Sequence, residues 1–241
     1  MLSPDDKILT IDIGGSGTKA TMLDAKGELL MEYKRLVTPA RANPQTLLAT
    51  IKELTEDMQG YTKVSAGFPG LVRHGIVHTA PNLDNDAWKN VDFDKLLTEA
   101  MGCPARVLND ADMQGLGVVS GKGLEMMITL GTGFGTALLD NGKLLPHFEI
   151  AHHPINKKYT YDDYVGQKAY DKCGKKKWNE RMAHVISVLQ TVFGYDRLFI
   201  GGGNAEKLPI NLAENIKLVT NKDGIKGGVR LWDDAASGIV H

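Results

Sequence analysis

Apolar and polar residues alternate along LTIDIGGSGTKATMLD, Leu9 to Asp24, on both sides of a glycine cluster. Alternation of period two predicts half-buried strands, with the glycines as the tight turn between them. AKGELL then predicts another turn and a third strand. The same order returns in MMITLGTGFGTALLDNGKLL, Met126 to Leu145: strand, glycine turn, strand, Asp-containing turn, strand. One recurrence is too few for a solenoid. It suits a duplicated domain with two facing lobes.

Between these units the apolar period lengthens to that of a helix. NPQTLLATIKELTEDM sets Leu47, Leu48, Ile51 and Leu54 on one face, and VDFDKLLTEAMG reads as a shorter helix stopped by Gly102. NERMAHVISVLQTVFG aligns Met182, Val185, Ile186, Leu189 and Phe193. VSAGFPG, ARVLND and DRLFIGGG are short apolar runs closed by a turn or a polar residue, as buried strands are. Their polar ends would line the sheet edge where open α/β folds bind ligands. The expected fold is α/β, with duplicated mixed β-sheets flanked by helices around a central cleft. The expected N-terminal lobe spans 1–110, joined by a C-terminal helix over 227–241. The C-terminal lobe spans 111–226, and no Pro-, Gly- or Ser-rich linker separates the two.

A chain of 241 residues has room for one large or two small domains, and 42% hydrophobic with 24% charged residues is ordinary for a globular protein. A net charge of −1 gives no broad attraction to nucleic acid or membrane. No apolar run reaches membrane-spanning length, and MLSPDDKILT lacks the basic and apolar parts of a signal peptide. Cys103 and Cys173 form neither a metal pattern nor a disulfide framework, so a reducing, cytoplasmic setting is expected.

The glycine turns are the first candidates for chemistry, because bare backbone amides cradle anions. Lys19 is followed by Ala20, which rules out a Walker loop, and the residues after the glycines read as a strand, which rules out a dinucleotide fingerprint. Each turn alone serves equally well as a tight hairpin. The pair, with Asp12 at the end of the first strand, suits a polyphosphate gripped from two sides and a hydrated Mg²⁺. In RVLNDADMQGLG, Asp110 or Asp112 is either a helix-starting acid or, for Asp110, a general base with Asn109 beside it. FEIAHHP offers Glu149, His152 and His153 in a polar loop, and TAPNL offers Asn82 in a turn. FIGGGNAEKL runs a strand into Gly201, Gly202 and Gly203, with Asn204 after them; such glycines admit a flat base or a close helix. Lys172, Lys175, Lys176 and Lys177 read as a solvated face.

Taken together and in order, these motifs resemble the ROK sugar kinases of the actin/hexokinase superfamily, and within them the polyphosphate glucokinases. DIGGSGTKA resembles a first phosphate motif, GFPG and TAPNL sugar loops, LNDAD the catalytic-base segment, LGTGFGTAL a second phosphate motif and FIGGGN an adenosine motif. The resemblance implies a two-lobed actin-like ATPase (ribonuclease H-like) fold. It implies phosphoryl transfer from polyphosphate or ATP to the 6-hydroxyl of glucose or a related hexose. Mannose, fructose or an N-acetylhexosamine are alternative acceptors, and a sensing protein without turnover is a further alternative. By matching position, Asp110 would be the base and Asp12 would hold Mg²⁺ through water. Asn82, Asn109, Glu149, His152 and Asp162 would bind sugar hydroxyls, Asp162 at a position that is usually Glu. Gly14, Gly15, Ser16, Gly17, Thr18, Lys19, Gly131, Thr132 and Gly133 would bind phosphate, with Gly201, Gly202, Gly203 and Asn204 on the nucleotide side. The family likeness also implies a homodimer. Two features of many ROK proteins are missing from the sequence: the cysteine cluster of a structural zinc, so no zinc site is expected, and an N-terminal helix-turn-helix.

Overall fold

The computed structural model describes residues 2–209 and 211–237. The two alternating segments become two sheets of one design. In the first, β1 (Lys7–Ile13) and β2 (Thr18–Asp24) are an antiparallel hairpin, β3 (Lys34–Leu36) pairs antiparallel with β2, and β4 (Lys63–Phe68) lies parallel to β1. A small ribbon of β5 (Val72–Arg73), β6 (Ile76–Val77) and β7 (Val91–Asp92) follows, and β8 (Ala105–Asn109) then docks parallel to β4. In the second, β9 (Leu124–Leu130) and β10 (Phe134–Asp140) form the hairpin and β11 (Lys143–Leu144) extends it. β12 (Arg197–Gly201) and β13 (Ile216–Leu218) add in parallel. The orders β3-β2-β1-β4-β8 and β11-β10-β9-β12-β13 match strand for strand, and each pairing keeps the sense of its counterpart.

One strand is displaced from its expected place. AKGELL contributes a single bridge, Leu23 to Leu29, and the third strand forms later, at Lys34–Leu36. Between them Thr21 Oγ1 donates to the Met31 carbonyl at 2.8 Å. The Leu30 amide still donates to the Met22 carbonyl at 2.8 Å, so this segment stays beside β2 without forming a continuous ladder.

α1 (Pro44–Leu54) starts where Asn43 accepts from the Thr46 amide, with Pro44 in the first turn, and buries Leu47, Ile51 and Leu54 on the first sheet. α2 (Asn85–Trp88) and α3 (Phe93–Met101) cover the same core, and α3 stops at Gly102, whose φ of 73° suits glycine. In the second lobe α5 (Tyr161–Val165) precedes α6 (Gln167–Phe193). The helix expected from Asn179 thus extends back to Gln167, interrupted at Gly174. Trp178, Met182, Val185 and Leu189 pack on the second sheet.

α4 (Asp110–Val118) leaves β8 directly and packs against both lobes. Its Met113 joins Ile8 and Leu23 of the first sheet; its Gly115 lies against Ala137 and Leu139 of the second. α7 (Asn221–Gly224), α8 (Gly227–Arg230) and α9 (Asp234–Ser237) bring the chain back to the first sheet. Ser65 Oγ donates to the Gly228 carbonyl at 2.6 Å and accepts from Trp232 Nε1 at 2.9 Å. Arg106 pairs with Asp234 at 2.7 Å. The helix expected over 227–241 is therefore not continuous. The Trp232 and Asp233 amides turn back to the carbonyls of Val229 and Arg230, and Asp233 Oδ1 accepts from the Ala235 amide, starting α9 afresh. Residues 238–241 of that expected helix lie outside the described residues. Gly227 sits where α8 crosses α4, and a Cβ there would overlap the Met113 carbonyl oxygen. Gly227→Ala is expected to cost about 3 kcal/mol, as overpacking does, read as a lower urea midpoint.

Candidate functional site

The parallel strands of both sheets end at the gap between them, and a cleft of about 310 Å³ opens there. That volume suits a small ligand. The turn after β1 closes with the Gly14 amide on the Gly17 carbonyl at 3.0 Å, and the turn after β9 with the Gly131 amide on the Gly133 carbonyl at 3.1 Å. Both line the cleft, as do Asp12, Lys19, Asn82, Asn109, Asp110, Glu149, His152 and Asp162. Residues from widely separated motifs thus meet at one place.

Each glycine turn is braced from behind. Thr38 Oγ1 donates to the Gly14 carbonyl at 2.7 Å and lies 2.9 Å from Thr18 Oγ1. Asn204 Nδ2 donates to the Gly131 carbonyl at 3.3 Å. Gly202, with φ 85°, presses so close to Leu130 that a Cβ would overlap its backbone. Gly202 reaches the cleft; Thr18, Gly201, Gly203 and Asn204 stand outside its lining, and of these Thr18 and Asn204 brace the turns. Asp162 Oδ1 accepts from the Phe134 amide at 2.6 Å, which ties α5 to the second turn.

Arg35 was not foreseen. Its strand register places it beside Lys19, and its Nη2 lies 3.3 Å from the Ser16 carbonyl, over Gly17. Two cations therefore stand at the first turn. Alternation in KRL would have aligned them, given the register.

The cap of α4 falls to Asn109. Its Oδ1 accepts from the Ala111 and Asp112 amides at 2.8 and 3.2 Å, and its Nδ2 donates to the Gly70 carbonyl at 3.1 Å. Asp110 is thereby left facing the cleft. Loss of water and the neighbouring charge of Asp12 push its carboxyl up to about 7, against the pull of the Ala111 amide. Burial likewise raises Asp12, opposed by Lys19 at 3.7 Å. A carboxylate so short of solvation fits a divalent cation. Among the described residues no three His, Cys, Asp or Glu side chains are placed to hold a metal ion together, so Mg²⁺ at Asp12 would keep most of its water shell.

His147 is a second unforeseen member. Its Nε2 lies 2.9 Å from Glu149 Oε1 and its Nδ1 2.9 Å from Asp112 Oδ2. Burial would lower its pKa, but the two carboxylates outweigh it and hold the ring up at about 10.

The sequence profile of the ROK family matches residues 8–184. The chain belongs to the ROK family. The polyphosphate glucokinase of Mycobacterium tuberculosis is 32% identical over 206 residues, covering 82% of this chain and 77% of that protein. The inorganic polyphosphate/ATP-glucomannokinase of Arthrobacter sp. strain KM superposes with a TM-score of 0.84 at 31% identity, over 93% of this chain and 97% of that one. A ROK glucokinase from Streptomyces griseus, solved with glucose and AMPPNP, shares the fold at a TM-score of 0.78 and 17% identity, over 93% and 98% of the two chains. This ROK protein therefore has the two-lobed actin-like fold of those sugar kinases.

The raised Asp110 carries a stability cost with a definite sign. Between about pH 4 and 7 the folded protein keeps a proton that an unfolded aspartate releases. Stability from this group therefore falls as pH rises through that window. Asp110→Asn cannot ionise, so its melting temperature is expected to exceed the parent's by about 10 °C at pH 8, with the gap closing toward pH 4. Calorimetry across that range checks it.

Proposed function

We propose that this ROK protein transfers a phosphoryl group from polyphosphate or ATP to the 6-hydroxyl of glucose or a related hexose, giving the hexose 6-phosphate. The observation that carries the reading is Asp110, raised to about 7 in a cleft flanked by two glycine turns. A base for an alcohol works best with its pKa near the working pH. The rest of phosphoryl transfer is positioning and charge neutralisation. The glycine turns supply amides for the phosphoryl oxygens, and Lys19 and Arg35 add positive charge beside them. Mg²⁺ bound at Asp12 would neutralise charge on the transferring group. Asn82, Glu149, His152 and Asp162 offer polar groups to the sugar ring, and Asn109 holds the wall at which the base stands. Closure of the lobes would keep water from accepting the phosphoryl group. A sensor without turnover would have no use for a carboxyl tuned in this way.

The kinship with polyphosphate glucokinase and with a polyphosphate/ATP-glucomannokinase supports glucose as acceptor, mannose as a second one, and both donors. A long polyphosphate also needs a positive path beyond the cleft. α6 starts at the second turn, where the Gln167 amide donates to the Gly131 carbonyl at 3.0 Å, and carries Lys172, Lys175, Lys176 and Lys177 exposed on its surface. We assign them to that path.

Asp110→Asn preserves shape and is expected to lower kcat by about 10²–10⁴ with glucose binding kept. A coupled assay for glucose 6-phosphate with each donor reads it, and turnover within a few-fold of the parent would remove Asp110 from its role. Replacing Lys175, Lys176 and Lys177 together by Gln is expected to raise KM for long-chain polyphosphate by about tenfold and to flatten its salt dependence, with KM for ATP unchanged. Equal KM values in parent and variant would return the lysines to an ordinary solvated face.

A further inference from the structure

We propose that His147, clamped between Asp112 and Glu149, is a positioning residue that fixes Glu149 toward the acceptor sugar and ties the sugar loop to the helix bearing the base. This rests on the sugar-kinase reading of the cleft. The side chains of His147 and Asp112 are 5% and 3% exposed, yet neither belongs to the set of groups that the cleft presents to a ligand. Asp112 Oδ1 is buried without a hydrogen bond, and Oδ2 has the His147 ring nitrogen as its near neighbour. Removal of the imidazole would leave that carboxylate buried with no compensating charge, an expensive state. On the other side the ring holds Glu149 Oε1, while Oε2 stays on the cleft side with His152 Nε2 at 3.7 Å. One oxygen of Glu149 is thus anchored and the other is left for a hydroxyl.

The surroundings make this a clamp for the loop. Thr136 Oγ1 donates to the Phe148 carbonyl at 3.1 Å, and the Ile150 amide donates to the same carbonyl at 2.8 Å. The segment from His147 to Ile150 is therefore pinned on β10 through its backbone and on α4 through the imidazole. The charged groups facing the ring are Asp112 and, at longer range, Asp110 from α4, with Glu149 from its own segment. β9, β10 and α6 present Met126, Thr136, Leu138 and Phe193 around the same space, none of them charged. His147 Nδ1 and Asp112 Oδ1 both lack an aligned hydrogen bond, so the contact between ring and helix is one of charge and proximity.

The test uses the full chain with three proteins: wild type, His147→Gln, and Asp112→Asn/His147→Gln. The double variant removes the orphaned buried charge, so its thermal stability is expected to return toward wild type even where the single variant is weakened. In both variants KM for glucose is expected to rise about tenfold or more, with KM for the phosphoryl donor within about twofold. Recovery of both stability and glucose KM in the double variant would make His147 a purely structural counter-ion and overturn the proposal. In wild type the His147 imidazole, followed by NMR, is expected to stay protonated through pH 8. A midpoint near that of a free histidine would overturn the clamp, whether or not any sugar is turned over. Failure of wild type to phosphorylate glucose or mannose with either donor would instead overturn the reading of the cleft, and the positioning role with it.

Discussion

The site depends on how closely α4 is held between the two sheets. This helix carries Asn109 as its cap and Asp110 in its first turn, so its axis decides where the base stands. Its own sequence is a poor helix former, since Gly115 and Gly117 each cost about 1 kcal/mol relative to alanine. The glycines serve packing instead. A Cβ at Gly115 would crowd Ala137, one at Gly117 would meet the backbone of Asp223 and Gly224, and one at Gly67 would press on Asp110 and Met113. With Gly227 packed against Met113 and Gly117, and Gly115 against the second sheet, the helix is gripped closely by both lobes. Its position is set by contact with its neighbours, and propensity is given up to achieve it.

A second constraint is electrostatic. Asp12, Asp110, Glu149 and Asp162 crowd one cleft that is to receive a polyanion. Burial raises Asp12, Asp110 and Asp162, since each carboxylate loses water on folding. Lys19, Arg35 and His147 offset part of it from the rim and from below. Stability is given up here for reactivity, a common balance at active sites. A hydrated cation at Asp12 would relieve the same strain when the donor arrives.

The two halves solve one problem with different side chains. Each presents a bare glycine turn to the cleft, and each must hold that turn rigid without filling it. The first half uses threonine hydroxyls, Thr18 and Thr38; the second uses the Asn204 amide and the close approach of Gly202. Four residues read as phosphate- or nucleotide-side candidates, Thr18, Gly201, Gly203 and Asn204, thus stand outside the lining. A motif marks the turn together with what supports it, and the sequence alone does not separate the two.

What the sequence by itself determined is what short-range physics controls. Alternation around GGSG and GTGFG defined the paired hairpins, apolar period defined α1 and the later part of α6, and Gly102 stopped α3. The family resemblance carried by the order of motifs implied one site for Asp12, Asn82, Asp110 and Glu149, and all four line the cleft. The tertiary structure alone decided the rest. The third strand forms at Lys34–Leu36, beyond a segment that meets β2 through single contacts such as Thr21 to Met31, and the C-terminal segment broke into α8 and α9 because Asp233 caps a new turn. Arg35 over Gly17, and His147 between Asp112 and Glu149, join residues far apart along the chain. The raised Asp110 depends on the water excluded by both lobes and on the charge of Asp12. A carboxyl's affinity for its proton is set by the dielectric and the charges around it, and those come from every part of the chain that folds against it.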